Sequence, residues 1–315
     1  MENTEQPLEI PATPAPPKPR VGRRALIGAG VGVAGLAALT AAAGLAVENR
    51  ILPGRTTLHA LLGLDGPAGH IPDVDPGPML TGSFVSRARL GASCGWAVSY
   101  PPNSTAGEPL PVLVVLHGYG ADHSAAFGTM LGLDRFLAQA VQRGARPFAI
   151  ASVDGGNTYW HRRATGEDAG AMVLDEFLPL LAAKKLDTSR VALLGWSMGG
   201  YGALRLAGIL RSARVASVAA ESPALWHTAA EAAHVAFDSP ADFAANTLFG
   251  HEAALSGIPL RVDCGTGDGF YPAVRDYVAG LHPHPAGEFI GGAHNYDFWR
   301  RVAPAQLTFV AEHFA

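Results

Sequence analysis

The stretch Val191-Ala192-Leu193-Leu194-Gly195-Trp196-Ser197-Met198-Gly199-Gly200-Tyr201-Gly202-Ala203-Leu204 decides how the rest of the chain is read. Its four leading apolar residues predict a strand buried on both faces, as in a parallel sheet. The small residues after Ser197 predict a helix packed closely beneath that strand. Gly195 to Gly199 then form the pattern G-x-S-x-G of a nucleophile elbow. The sharp turn strains the serine backbone and crowds the positions two residues to either side, where glycine avoids a clash. The pentapeptide alone is weak evidence. With 38 glycines in 315 residues, chance supplies about 0.2 matches per chain. A second match is present at Gly91-Ala92-Ser93-Cys94-Gly95. There Arg87-Ala88-Arg89 precedes the serine and an alternating strand, Trp96–Tyr100, follows it, so Ser93 is a turn or strand residue. Ser197 is the candidate nucleophile.

Outward from this turn, apolar runs alternate with helical patterns. Candidate strands are Ser83–Arg87, Gly95–Tyr100, Pro111–His117, Pro147–Val153, Arg190–Gly195, Ala216–Glu221, Leu260–Cys264 and Glu288–Ile290. Candidate helices include Ala125–Arg143, Ala169–Lys184, Met198–Leu210, Tyr271–Leu281 and Asp297–Phe314. Strands alternating with helices predict one α/β domain over residues 80–315, with a mostly parallel sheet of about eight strands flanked by helices. No internal repeat is present.

A serine hydroxyl needs a histidine to take its proton and an acid to orient that histidine. After a strand–elbow–helix the order along the chain is serine, acid, histidine. His294 follows the last strand through Gly291-Gly292-Ala293, a loop able to lean over the sheet edge. His282 and His284 alternate with prolines in a connecting loop, and His313 lies in the terminal helix. Asp268 stands just past the carboxyl end of Leu260–Cys264, where ligands and reactive groups of open α/β sheets gather. Asp263 lies inside that strand, and Glu221, ending the preceding strand, is the alternative acid. An oxyanion needs two backbone N–H donors. Met198 supplies one, and the loop His117-Gly118-Tyr119-Gly120 offers Tyr119 as the other.

Composition narrows the remaining classes. The apolar fraction of 48% is ample for a core and excludes global disorder. A net charge of −4 argues against nucleic-acid binding. Two cysteines form no disulfide framework and no zinc-like spacing. Residues 1–20 are polar and Pro-rich and read as a disordered tail. Arg23-Arg24 then precede Ala25–Val47, which carries no charge, so residues 21–50 read as a twin-arginine-like signal or a membrane anchor. Both versions export the folded part to the cell envelope or beyond, across a link at residues 51–79.

Four segments together resemble the esterase D branch of the α/β-hydrolases: Leu116–Gly120, Gly195–Ala203, Gly265–Asp268, and His294-Asn295-Tyr296-Asp297-Phe298-Trp299. That branch includes S-formylglutathione hydrolases, feruloyl-esterase-like enzymes and mycobacterial mycolyltransferase antigens. The resemblance implies an α/β-hydrolase fold and ester hydrolysis or acyl transfer by a Ser–His–Asp triad, with neither cofactor nor metal. The partner implied is a small-molecule or lipid acyl ester. The export segment departs from the glutathione-linked enzymes and argues against a cytosolic role. Expected substrate contacts are Gly118, Trp196, Tyr159 in the loop Asp154–His161, and Trp226 in Pro223–Gly257, a small helical cap between late strands. The cap's apolar residues read either as packing on the sheet or as a groove for an acyl chain. In this fold Cys94 and Cys264 fall on distant strands.

Overall fold

Continuously apolar runs occupy the middle of one eight-stranded sheet. The computed structural model describes residues 55–314, and the tail and export segment lie outside them. In chain order the strands are β1 (Met79–Ser86), β2 (Ala92–Ser99), β3 (Pro111–Leu116), β4 (Ala149–Val153), β5 (Asp187–Trp196), β6 (Val215–Glu221), β7 (Leu260–Gly265) and β8 (Phe289–Ile290). Their order across the sheet is β1-β2-β4-β3-β5-β6-β7-β8. Strands β3 to β8 pair in parallel, and β1 and β2 add an antiparallel edge. Every residue of β4 and β6 is buried, which is why these strands read as unbroken apolar runs.

The helices are α1 (Arg55–Leu61), α2 (Leu133–Gln142), α3 (Ala169–Ala171, a π segment Met172–Phe177, then Leu178–Ala183), α4 (Met198–Leu210), α5 (Pro240–Asn246), α6 (Tyr271–Ala279) and α7 (Tyr296–His313). The single helix expected over Ala125–Arg143 is divided. A 3-10 turn at His123–Ala126 is capped by Asp122, and Gly128 and Gly132 adopt positive φ before α2 begins. Those left-handed positions end one helical path and start another. The cap contains α5 and a 3-10 turn, Glu252–Leu255. It is tied to the sheet layer by Tyr201, whose hydroxyl donates to the Asn246 carbonyl at 2.9 Å, and by Arg205, which donates to the Asn246 side chain.

Cys94 on β2 and Cys264 on β7 are five strand spacings apart, about 24 Å at the usual interstrand distance and far beyond disulfide reach. The unit beginning at Arg55 also takes in α1 and residues 62–78, so the described part of the stretch expected as a link belongs to the domain. For example, Arg135 donates to the Val74 carbonyl at 2.9 Å. Among the described residues no helix is long and apolar enough to cross a membrane.

Candidate active site

Strand β5 ends at Trp196, α4 starts at Met198, and Ser197 makes the turn between them at φ 56°, ψ −120°. A non-glycine residue rarely adopts that backbone, so the surroundings must hold it there. Three glycines make room. A Cβ on Gly195 would run into the Gly199 backbone, and one on Gly199 into the Leu116 carbonyl of β3. One on Gly200 would press on the Glu221 carbonyl at 3.0 Å. The Ser197 N–H donates to the Glu221 carbonyl at 2.9 Å, and the Ala224 N–H donates to the Ser197 carbonyl at 3.0 Å. The turn is therefore fastened to the end of β6.

Ser197 Oγ lies 2.8 Å from His294 Nε2, and His294 Nδ1 lies 2.7 Å from Asp268 Oδ2. Asp268 is fully buried, and its other oxygen accepts from the Phe270 N–H at 2.8 Å. A carboxylate can only accept, so Nδ1 carries the proton and Nε2 is free to accept from the serine hydroxyl. A proton can pass from Ser197 to His294 along this chain, and Asp268 then stabilises the imidazolium. Phe270 and Trp299 meet the imidazole edge-on, each 5.1 Å between ring centres, and restrict its rotation.

Glu221, the alternative acid, occupies a different place. It is fully buried, and burial beside Asp263 pushes its carboxyl well above the usual carboxylate range. Asp263 is also fully buried and is engaged by Arg261 at 2.8 Å and by Gln306 at 2.8 Å. The imidazole is bound by Asp268, as the position after β7 suggested.

Met198 opens α4, where first-turn N–H groups have no acceptor within the helix. Tyr119 lies in the loop after β3 with its ring half exposed. Gly118 is buried, and a Cβ there would strike the Trp196 indole and approach the Ser197 Cβ at 3.4 Å. Glycine thus brings this loop directly against the serine. The loop is braced by Asp154–His161. The Gly155 N–H donates to His117 Nε2 at 3.0 Å, and Asn157 Oδ1 accepts from the Gly120 N–H at 2.7 Å. With Nε2 accepting, His117 Nδ1 donates to the Gly118 carbonyl at 2.8 Å. Burial lowers the His117 pKa, in keeping with this neutral form. His117 and Asn157 stand inside segments that the sequence marks out, but their bracing role leaves no pattern of its own.

A cavity of about 580 Å³ opens at Ser197 and His294. Gly118, Tyr119 and Trp196 line it, together with Met130, Tyr296, Trp299 and the polar pair Asp122 and Ser124. Arg300 fixes the Met130 wall by donating to the carbonyls of Met130 at 2.7 Å and Thr129 at 2.9 Å. Tyr159 and Trp226 are not among the lining residues. Tyr159 is buried against Tyr201, Phe237 and Trp226, and Trp226 meets Phe270 edge-on. Tyr296 and Trp299 take their place as aromatic walls, and both stand in the segment that followed His294 in the resemblance.

A family model described as "Putative esterase" matches residues 88–300. No curated protein matches the chain. Among solved structures, an S-formylglutathione hydrolase from Agrobacterium tumefaciens superposes with a TM-score of 0.64 at 18% identity, covering 79% of this chain and 100% of its own. A ferulic acid esterase gives 0.61 at 20% identity, covering 76% and 100%. A ferulic acid esterase from Anaeromyces mucronatus gives 0.59 at 18% identity, covering 77% and 92%. At such identities these likenesses establish the shared α/β-hydrolase fold.

Proposed function

This chain belongs to the Esterase family, and from that premise we propose that it is an exported serine carboxylesterase acting through Ser197, His294 and Asp268. The observation that carries the proposal is the unbroken hydrogen-bond chain from the strained Ser197 through His294 to buried Asp268. Ser197 Oγ attacks the carbonyl carbon of an acyl ester while His294 Nε2 takes its proton. The Met198 and Tyr119 N–H groups receive the oxyanion. The ester C–O bond then breaks, His294 returns the proton to the departing alcohol, and the acyl group stays on Ser197. Water, deprotonated by His294, then attacks the acyl carbon, the bond to Ser197 Oγ breaks as His294 returns the proton to it, and the acid is released. Export is supported by Arg23-Arg24 ahead of the uncharged stretch Ala25–Val47.

Labelling with a fluorophosphonate, together with hydrolysis of a short acyl ester, tests the proposal. The wild type should label and hydrolyse, and Ser197→Ala should do neither. An unlabelled wild type, or a labelled Ser197→Ala, would remove Ser197 from the mechanism. Added acceptor alcohols separate hydrolysis from transfer: a transfer product with negligible acid released would make the protein an acyltransferase.

A further inference from the structure

We propose that the N-terminal strap, residues 56–69, positions the two loops that carry Asp268 and His294, with Arg301 as its clamp. The strap lies outside the residues matched by the family model, and this role rests on the esterase reading of Ser197. The loops concerned have little support of their own. Asp268 follows Gly265-Thr266-Gly267, and His294 follows Gly291-Gly292, sequences with much conformational freedom to lose. The second loop leaves β8, which is only two residues long and is the last strand of the sheet, paired on one side by β7. The loops hold each other through the Thr266 and Gly267 N–H groups, which donate to the carbonyls of Ile290 and Gly292 at 2.8 Å each.

The strap covers both from outside. The Thr56 hydroxyl donates to the carbonyl of Gly267, next to Asp268, at 2.9 Å. A Cβ on Gly267 would meet Asp65 Oδ1 at 2.7 Å and the His59 Cβ at 3.0 Å, and one on Gly291 would run into the Leu64 carbonyl. The strap therefore packs directly against Gly267 and Gly291, where a side chain on either glycine would displace it. Arg301 of α7 joins the pieces: it donates to the carbonyls of Asp65 at 3.2 Å and Pro67 at 2.8 Å, and also to that of Gly291. Its guanidinium rests over the Phe298 ring at 5.4 Å. Beyond the clamp, the Gly69 N–H donates to the Asp297 carbonyl at 2.8 Å in the first turn of α7. One guanidinium thus fixes the strap and the histidine loop to the same helix. Thr56 and Arg301 are positioning residues, since their contacts reach Asp268 and His294 through the backbone.

The test uses the full chain as wild type, Thr56→Val, Arg301→Gln and Arg301→Lys. Readouts are kcat and KM on a short acyl ester, the fluorophosphonate labelling rate, and Tm. Displacement of an aligned group by an ångström costs up to a hundredfold in rate, so Arg301→Gln should lower kcat about tenfold or more with KM within about twofold. Arg301→Lys, which keeps cationic donors, should recover part of that loss. Thr56→Val should lower kcat about threefold, and it decides the matter if Arg301→Gln does not fold. Unchanged kcat in a folded variant that loses only Tm would overturn the positioning role, as would a change confined to KM. A wild type that neither labels nor hydrolyses would overturn the esterase reading beneath it, whereas an active wild type with unaffected variants sinks the strap's role alone.

Discussion

Gly91–Gly95 and Gly195–Gly199 satisfy the same five-residue pattern and end in unrelated structures. In the first, Ser93 lies within β2, exposed, its backbone paired in antiparallel register with Val85. In the second, Ser197 stands between a parallel strand and a helix at positive φ, with His294 within hydrogen-bond distance. Gly91 turns the chain at φ 87° with open space around it, whereas Gly195 and Gly199 are packed against backbone. The pentapeptide supplies glycine's permission to turn tightly. Whether the turn becomes a nucleophile elbow depends on β3 and β6 lying close enough to need those glycines.

The sharpest break in the comparison is at the serines themselves. Ser197→Ala should lower kcat/KM by about 10⁶-fold, the scale on which removal of a serine nucleophile acts. Ser93→Ala should leave it within about twofold, because a substitution at an exposed strand position away from special contacts costs little. Steady-state hydrolysis of one short acyl ester measures both. Comparable losses from the two changes would mean that the strand–turn–helix context does not separate the two serines.

The glycines give a smaller effect that separates packing from backbone conformation. Gly199→Ala places a methyl group against the Leu116 and His117 carbonyls, which have no room to move inside the sheet. It should cost about 3 kcal/mol through overpacking and lower Tm by about 10 °C. Gly91→Ala meets nothing within 4 Å and bears only the left-handed backbone, about 1 kcal/mol. Urea denaturation of the two variants checks the difference, and equal destabilisation would show that φ alone sets the cost.

The flanking residues distinguish the two pentapeptides, because strand and helix patterns are local. The helix Met198–Leu210 was legible to the residue, and all eight strands were placed to within a few residues. Asp268 and His294 could be found because chain order and sheet geometry leave few positions past the strand ends. What was not legible depends on contacts between distant parts of the chain. Thr56 meets Gly267 across 211 residues, and no periodicity in residues 51–79 announces it. Tyr159 and Trp226 had the chemistry expected of a substrate wall, but whether an aromatic lines a cavity or fills a cap depends on which neighbours reach it first. Tyr296 and Trp299 were in plain view after His294, and the orientation of α7 gave them the cavity. The division of Ala125–Arg143 follows from Gly128 and Gly132, whose positive φ helical spacing alone does not reveal.

The last contrast, smallest at low pH, concerns the floor of the elbow, which Ser93 lacks. Glu221 offers its carbonyl to the Ser197 N–H, and its side chain is buried beside Asp263 and Gln306, with Arg261 beyond. Burial raises its pKa in the folded state, so folding favours the neutral acid. The stabilisation from a raised pKa is complete below the unfolded carboxylate range and is lost as pH climbs through the folded value. Glutamine has the same shape and no proton to lose. Glu221→Gln should therefore stay within about 1 kcal/mol of wild type at pH 4. It should gain on wild type from about pH 4.5 upward, by at most ~1.4 kcal/mol per pH unit. Asp263 is the principal coupled group, and it stays held by Arg261 and Gln306. Denaturation midpoints at pH 4, 6, 7.5 and 9 trace that difference. A gap that does not widen with pH would mean that Glu221 ionises inside the fold as easily as outside, and that the elbow rests on a charged floor.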